Sequence, residues 1–206
     1  MNMKLSFILT LTFFSFLFSK ENNSSKEIVQ YGYNYKGDLE DGKRHGKGKF
    51  IYQNGDTYDG DWINDIREGE GVFTYQNDSH TYVGSFINDL FHGWGILHII
   101  GGEKYEGQWK EGMKHGDGIY YYPFGNTYNG QWKNDKRNGE GTYLYTFGKK
   151  YTGKWQDGMK HGYGISYDGE GNTYEGDFKY DKRDGQGTYK FKSGNIYTGG
   201  FLDGKK

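Results

Sequence analysis

The sequence predicts an elongated all-β repeat protein of stacked hairpins, and three observations carry that prediction. The chain repeats every 23 residues, residue types alternate at a period of two within each unit, and rings with glycine replace the usual aliphatic core. Its 206 residues include 36 Gly, 21 Tyr, 14 Phe and 5 Trp, so buried surface must come from rings rather than from Leu, Ile and Val. Low hydropathy with abundant glycine also marks disordered chains. Those are poor in aromatics, however, and this chain is 19% aromatic.

The chain opens differently from everything that follows. Lys4 precedes an apolar run from Leu5 to Phe18, then Ser19 and the polar stretch KENNSSKE. A run of 14 residues is shorter than the roughly 20 that span a bilayer, which predicts a secretory signal peptide over residues 1–19. Leu17 sits where a small residue favours cleavage, so an uncleaved N-terminal anchor is the alternative. Asn22, Asn23 and Asn77 lie in N-x-S sequons and would be glycan acceptors in a translocated chain. Residues 20–34 form a polar linker and a degenerate half-repeat, in which Ile28 to Tyr33 carries Gly32 at the expected place.

The array proper is expected over residues 35–206, as seven full repeats and a partial eighth. Each unit starts Y-x-G-x-W: Tyr35 opens the first and Tyr197 the last, spaced by 23 residues with one step of 24 between Tyr58 and Tyr82. Gly follows two positions later in all eight, and then a bulky apolar residue such as Trp62, Phe86, Trp132 or Phe178. Seven units continue into a G-x-G pair, and most then place aromatics two apart, as in Phe50/Tyr52 and Tyr143/Tyr145. Alternation bounded by Gly, Asn and Asp marks two strands per unit, with the hairpin turn between them, for example from Glu40 to His45. In the expected register Tyr faces the aromatic of the return strand, the first Gly faces the second Gly of the pair, and Trp lies over the first. A ring would then cover each glycine, which offsets the weakness of Gly-rich strands. Two strands of about 4.8 Å per repeat give a rod of about 75 Å.

Y-x-G-x-W-x-x-G-K-x-H-G-x-G, shown closely by YEGQWKEGMKHGDG from Tyr105 to Gly118, resembles the MORN (membrane occupation and recognition nexus) repeat. The resemblance runs from about Tyr35 to the end. It implies a single-layer twisted antiparallel sheet of successive hairpins, a scaffold or adaptor role, and links to phosphoinositides and membranes. It also sets a cytoplasmic, membrane-peripheral location against the secretory reading of the N-terminus.

Catalysis has little to draw on. Gly37 to Lys43 is nearly a phosphate-binding loop, but Arg44 stands at the Ser/Thr position. None of the G-x-G pairs has the third glycine of a dinucleotide fingerprint. His45, His92, His115 and His161 recur at one turn position, on rows about 10 Å apart and therefore too far for one zinc. The expectation is no enzyme, no cofactor and no metal. With 26 basic and 27 acidic residues interspersed, nucleic acid is not an expected partner either.

Two features predict binding. Repeat three departs from the pattern with Leu90, Phe91, Trp94, Leu97 and Ile99, an apolar cluster on a sheet whose rings should be partly exposed, and this predicts a protein partner along the sheet face. Basic residues at successive turns, Lys114, Lys136, Arg137, Lys160, Lys182 and Arg183 among them, should stack along one edge as a ladder for anionic lipid. Repeat six appears as a register slip, with Tyr167 on the opposite face and a turn-like DGEG after it. The last unit stops at Lys206 without a return strand, and an open sheet edge of this kind suits a homodimer.

Overall fold

The computed structural model describes residues 29–31, 34–77 and 79–206, so the expected leader and residues 20–28, 32 and 33 of the linker and half-repeat lie outside the described residues. Sixteen strands form one antiparallel sheet in which each strand pairs with its neighbours in sequence. After β1 (Val29–Tyr31) and β2 (Tyr35–Glu40) come β3 (Lys43–Ile51), β4 (Thr57–Ile63), β5 (Ile66–Thr74), β6 (Thr81–Ile87) and β7 (Leu90–His98). The same rhythm continues with β8 (Lys104–Lys110), β9 (Met113–Tyr121), β10 (Thr127–Lys133), β11 (Lys136–Leu144) and β12 (Lys150–Gln156). The last strands are β13 (Met159–Tyr167), β14 (Thr173–Lys179), β15 (Lys182–Lys190) and β16 (Ile196–Phe201).

Each hairpin turns in two residues rather than the six expected from Glu40 to His45. Glu40 pairs with Lys43 around Asp41 and Gly42, whose φ values are 49° and 75°, and Asn64 and Asp65 repeat this at 51° and 72°. Two positive φ values define the turn whose twist matches that of the flanking strands, which is why Asn, Asp and Gly recur there. The basic and histidine positions thus belong to the second strand of each hairpin and not to the turn.

The register confirms the glycine pairing: Tyr128 faces Tyr143 and Gly130 faces Gly141. A Cβ on Gly141 would lie 2.6 Å from Cζ of Tyr128, because the Tyr ring lies flat along the strand over both glycines. Its hydroxyl reaches past them to donate to the carbonyl of Gln131 at 3.0 Å. The Trp placement differs from expectation. A bulge between Gly130 and Trp132 sets Trp132 opposite Arg137 within its hairpin, and across the next ladder opposite Gly116 of the preceding repeat. Trp132 thus stands opposite the first glycine of its neighbour's pair, and its Nε1 donates to the Gly118 carbonyl at 3.1 Å. Trp62, Trp109 and Trp155 make the same bond, each to a carbonyl of the preceding repeat.

The core is thus a ribbon of rings along one face of a single layer. From Tyr58 to Tyr174 each opening Tyr sits between the Trp or Phe of its own repeat and that of the next: Tyr128 meets Trp132 at 5.2 Å and Trp155 at 5.3 Å, both edge-on. Tyr58, Tyr82, Tyr105, Tyr128 and Tyr151 are fully buried. The partly exposed rings that the sequence predicts do occur, Trp94 and Tyr163 among them, but the opening tyrosines are not of that kind, because neighbours in the ribbon cover one another. Repeat six does not slip. Ser166 faces Tyr151 and Tyr174 in the same register that places Tyr143 between Tyr128 and Tyr151, so a serine simply stands where five other repeats carry a ring and repeat three carries Leu97.

Candidate functional site

Cations complete the ring face. The guanidinium of Arg44 lies 4.7 Å from the Phe50 ring centre, and Arg67–Phe73, Lys114–Tyr120, Arg137–Tyr143 and Arg183–Tyr189 repeat the arrangement at 4.9, 5.5, 5.3 and 5.1 Å. Aspartates in the following turn fasten the first of them. Asp65 accepts from both the main-chain N and the Nε of Arg44, and this holds its carboxyl below the usual carboxylate range. Asp89 serves Arg67 in the same way, and Asp135 pairs with Lys114 at 3.3 Å.

The six residues expected to form a basic edge therefore divide. Lys114, Arg137, Lys160 and Arg183 fold over rings on the buried face. Lys136 and Lys182 point to solvent beside Asp157 and Asp203, at 3.8 and 2.8 Å. Burial holds the Lys160 ammonium below the ordinary lysine range. His45 places Nδ1 3.0 Å from Glu40, and among the described residues no three His, Asp or Glu side chains gather closely enough to hold a metal.

The five apolar residues of repeat three also separate, since successive strand residues face opposite ways. Phe91 takes the cation's place and stacks on Tyr82 at 3.7 Å, with Leu97 opposite Tyr82 and Ile99 on the same face. Leu90 and Trp94 lie on the other face. There the structure adds residues that sequence reasoning missed. Ile63 pairs with Ile66 and Ile87 with Leu90, flanking two adjacent turns, and with Trp94 they are 37–54% exposed. Val72 and Val83, paired across the same face, are exposed beside them. Equivalent pairs elsewhere are polar or charged on at least one side, Glu40/Lys43, Lys110/Met113, Lys133/Lys136, Gln156/Met159 and Lys179/Lys182, so the signal was two successive pairs apolar on both sides. Asp59, Glu68 and Glu70 border this patch, and none makes an ion pair among the described residues.

At the opposite edge, Phe124 and Phe147 occupy the tips of consecutive inter-hairpin loops with φ of 65° and 64° and exposures of 95% and 98%. A ring held in the left-handed region without burial contributes nothing to the core.

Among curated proteins, none matches the chain. Similar solved structures include the SAS-4 (dCPAP) TCP domain of Drosophila melanogaster in complex with a proline-rich motif of Ana2 (dSTIL). It is 14% identical over 80% of this chain and 76% of that one, with a TM-score of 0.38. Another is the TCP10 domain of Danio rerio CPAP in complex with a STIL peptide, 12% identical over 84% and 88%, with a TM-score of 0.27. The sequence pattern of the MORN repeat matches residues 35–57, 58–80, 82–102, 105–127, 128–146, 151–173 and 174–196. Seven matched units, set on hairpins whose Tyr, Gly and Trp interlock from one repeat to the next, establish that this chain belongs to the MORN repeat family.

Proposed function

We infer that the chain is a non-catalytic scaffold that holds a protein segment on the face opposite the rings, over repeats two and three. The observation that carries this reading is two successive hairpin ends closed by exposed apolar pairs, Ile63/Ile66 and Ile87/Leu90, with Trp94 exposed on the same face. Large exposed apolar patches are costly in water and mark docking surfaces. The bordering Asp59, Glu68 and Glu70 suit a segment in which apolar residues alternate with Lys or Arg, since complementary charge at the rim steers and registers a partner. A short peptide of that pattern is expected to bind the full chain at least about tenfold more tightly than its Glu-substituted counterpart. Leu90→Asp with Trp94→Ser should remove the difference while leaving thermal stability nearly unchanged, because both positions are exposed. Equal binding of the two peptides would refute the reading.

Phe124 and Phe147 favour a second reading, in which the loop edge dips into an anionic membrane with Lys149 and Lys150 beside it. Vesicles containing phosphatidylserine distinguish the two. Retention lost in Phe124→Ser/Phe147→Ser but kept in the Leu90/Trp94 variant is the lipid outcome. For location, the N-terminal apolar run supports the secretory pathway, and Asn77 is exposed on the loop between β5 and β6. Expression in eukaryotic cells should yield a product whose mobility shifts on deglycosylation. Replacing Asn77 with Gln should reduce that shift, and a product with no shift at all contradicts a luminal location.

A further inference from the structure

The ring face carries one notch. In five repeats a cation sits over the ring six residues further on, at 4.7–5.5 Å. In repeat six the cation is Lys160 and the ring position is Ser166. The next ring position, filled by Tyr145 in repeat five, is Asp168. Tyr143 and Tyr145 pack at 4.3 Å in repeat five, so two adjacent rings are replaced by two small polar residues. What remains is a cavity of about 340 Å³, lined by Lys160, Ser166, Asp168, Tyr174, Arg183 and Tyr189, among others.

Its charges are unbalanced. Asp168 is occupied by its own loop, accepting from the main-chain N of Glu170 and Asn172 and from the Asn172 amide. Asp181 accepts from the main-chain N of Lys160 at 2.9 Å and makes no ion pair with its ammonium. Lys182 is paired to Asp203, and Lys149 lies 5.4 Å from the Tyr145 ring. Lys160 and Arg183 therefore face the cavity with no carboxylate within ion-pair distance among the described residues, each held only against rings. Lys160 lies over Tyr151 at 5.1 Å and Tyr145 at 5.6 Å, much as the cations of other repeats lie 5.6–5.8 Å from their opening Tyr, and the further ring that they also cover is absent here.

We propose that repeat six binds an aromatic ring carrying an anionic group, such as an aryl phosphate, the ligand ring filling the place of the absent Tyr and its anion pairing with Lys160 and Arg183. A cation favours both a ring face and an anion, and the half-buried ring of Tyr189 supplies an aromatic wall for a flat ligand. The cavity volume lies within the range of small-ligand sites. The inference stands on the ring face alone and is independent of the docking patch on the other face.

Titration calorimetry on the full chain tests it with phenyl phosphate, inorganic phosphate and benzyl alcohol. Phenyl phosphate should bind at least about tenfold more tightly than either half-ligand. Ser166→Tyr restores the ring and should raise Tm by about 2 °C or more, which shows that it folds, while lowering phenyl phosphate affinity at least about tenfold. Lys160→Met should lower the affinity to a similar extent. A phosphotyrosine pentapeptide separates the sources: tighter binding than phenyl phosphate assigns the site to a partner's side chain, weaker binding to a free small molecule, and both support it. Inorganic phosphate binding as tightly as phenyl phosphate, or unchanged affinity in Ser166→Tyr, overturns the proposal.

Discussion

Between about pH 10 and 12 the array is expected to unfold, and to do so more steeply than a protein with ordinary tyrosines. Tyr58, Tyr82, Tyr105, Tyr128 and Tyr151 are fully buried, and Tyr174 nearly so. Burial raises every one of these phenols above its usual value; Tyr174 is pushed up to about 12 and the others higher. The sign follows from proton binding. Above about pH 10 the unfolded chain has released protons that the folded chain still holds, so stability is full below that pH and falls as it rises. Each phenol contributes at most about 1.4 kcal/mol per pH unit, and six acting together exceed the few kcal/mol that stabilise a typical domain. Tyrosinate absorbance and circular dichroism, followed together, should change in one cooperative step. A gradual titration near pH 10 with an intact β signal would contradict it.

Trp132→Ala should cost about 4 kcal/mol, and Trp94→Ala less than about 0.5 kcal/mol. Trp132 is 5% exposed, wedged edge-on between Tyr105 and Tyr128 at 5.4 and 5.2 Å, and it donates to the Gly118 carbonyl. Its removal opens a cavity, deletes the hydrogen bond to Gly118 and removes the ring contact between repeats four and five, while the strand ladder between them remains. Trp94 is 54% exposed on the other face and makes no comparable contacts. Urea denaturation of the two variants measures the contrast. Similar midpoints would mean that the ring ribbon is not what holds successive hairpins together.

The period, the two strands per unit and the glycine pairing were legible in the sequence because each depends on residue spacing alone. A broad turn centred between Lys133 and Asn138 puts Gly130 opposite Gly141 and Tyr128 opposite Tyr143, as observed, although the turn itself is shorter and a bulge makes up the difference. The place of Trp132 was not legible, since the bulge beside Gly130 adds residues to one strand and breaks simple counting. Sequence position likewise suggested that the cations were exposed. Arg44 and Arg137 instead cover rings, a preference that depends on which face a bulged strand presents. Of the predicted partner cluster, Leu90 and Trp94 share a face with Ile63 and Ile87, whereas Phe91 and Leu97 belong to the core. Ser166 looked like a slipped register only because the missing ring was taken as a shift, not as a substitution.

The edge-to-face ribbon, in which the ring contacts of each opening Tyr stay within its own repeat and the next, makes the array a row of links coupled to nearest neighbours. Strain or stabilisation introduced at one link fades within a repeat or two, because no residue bridges distant ones. The apolar patch on repeats two and three and the notch in repeat six are therefore insulated from each other by the repeats between them. Occupancy of one should leave the affinity of the other unchanged, so the chain would carry two cargoes side by side without either sensing its neighbour.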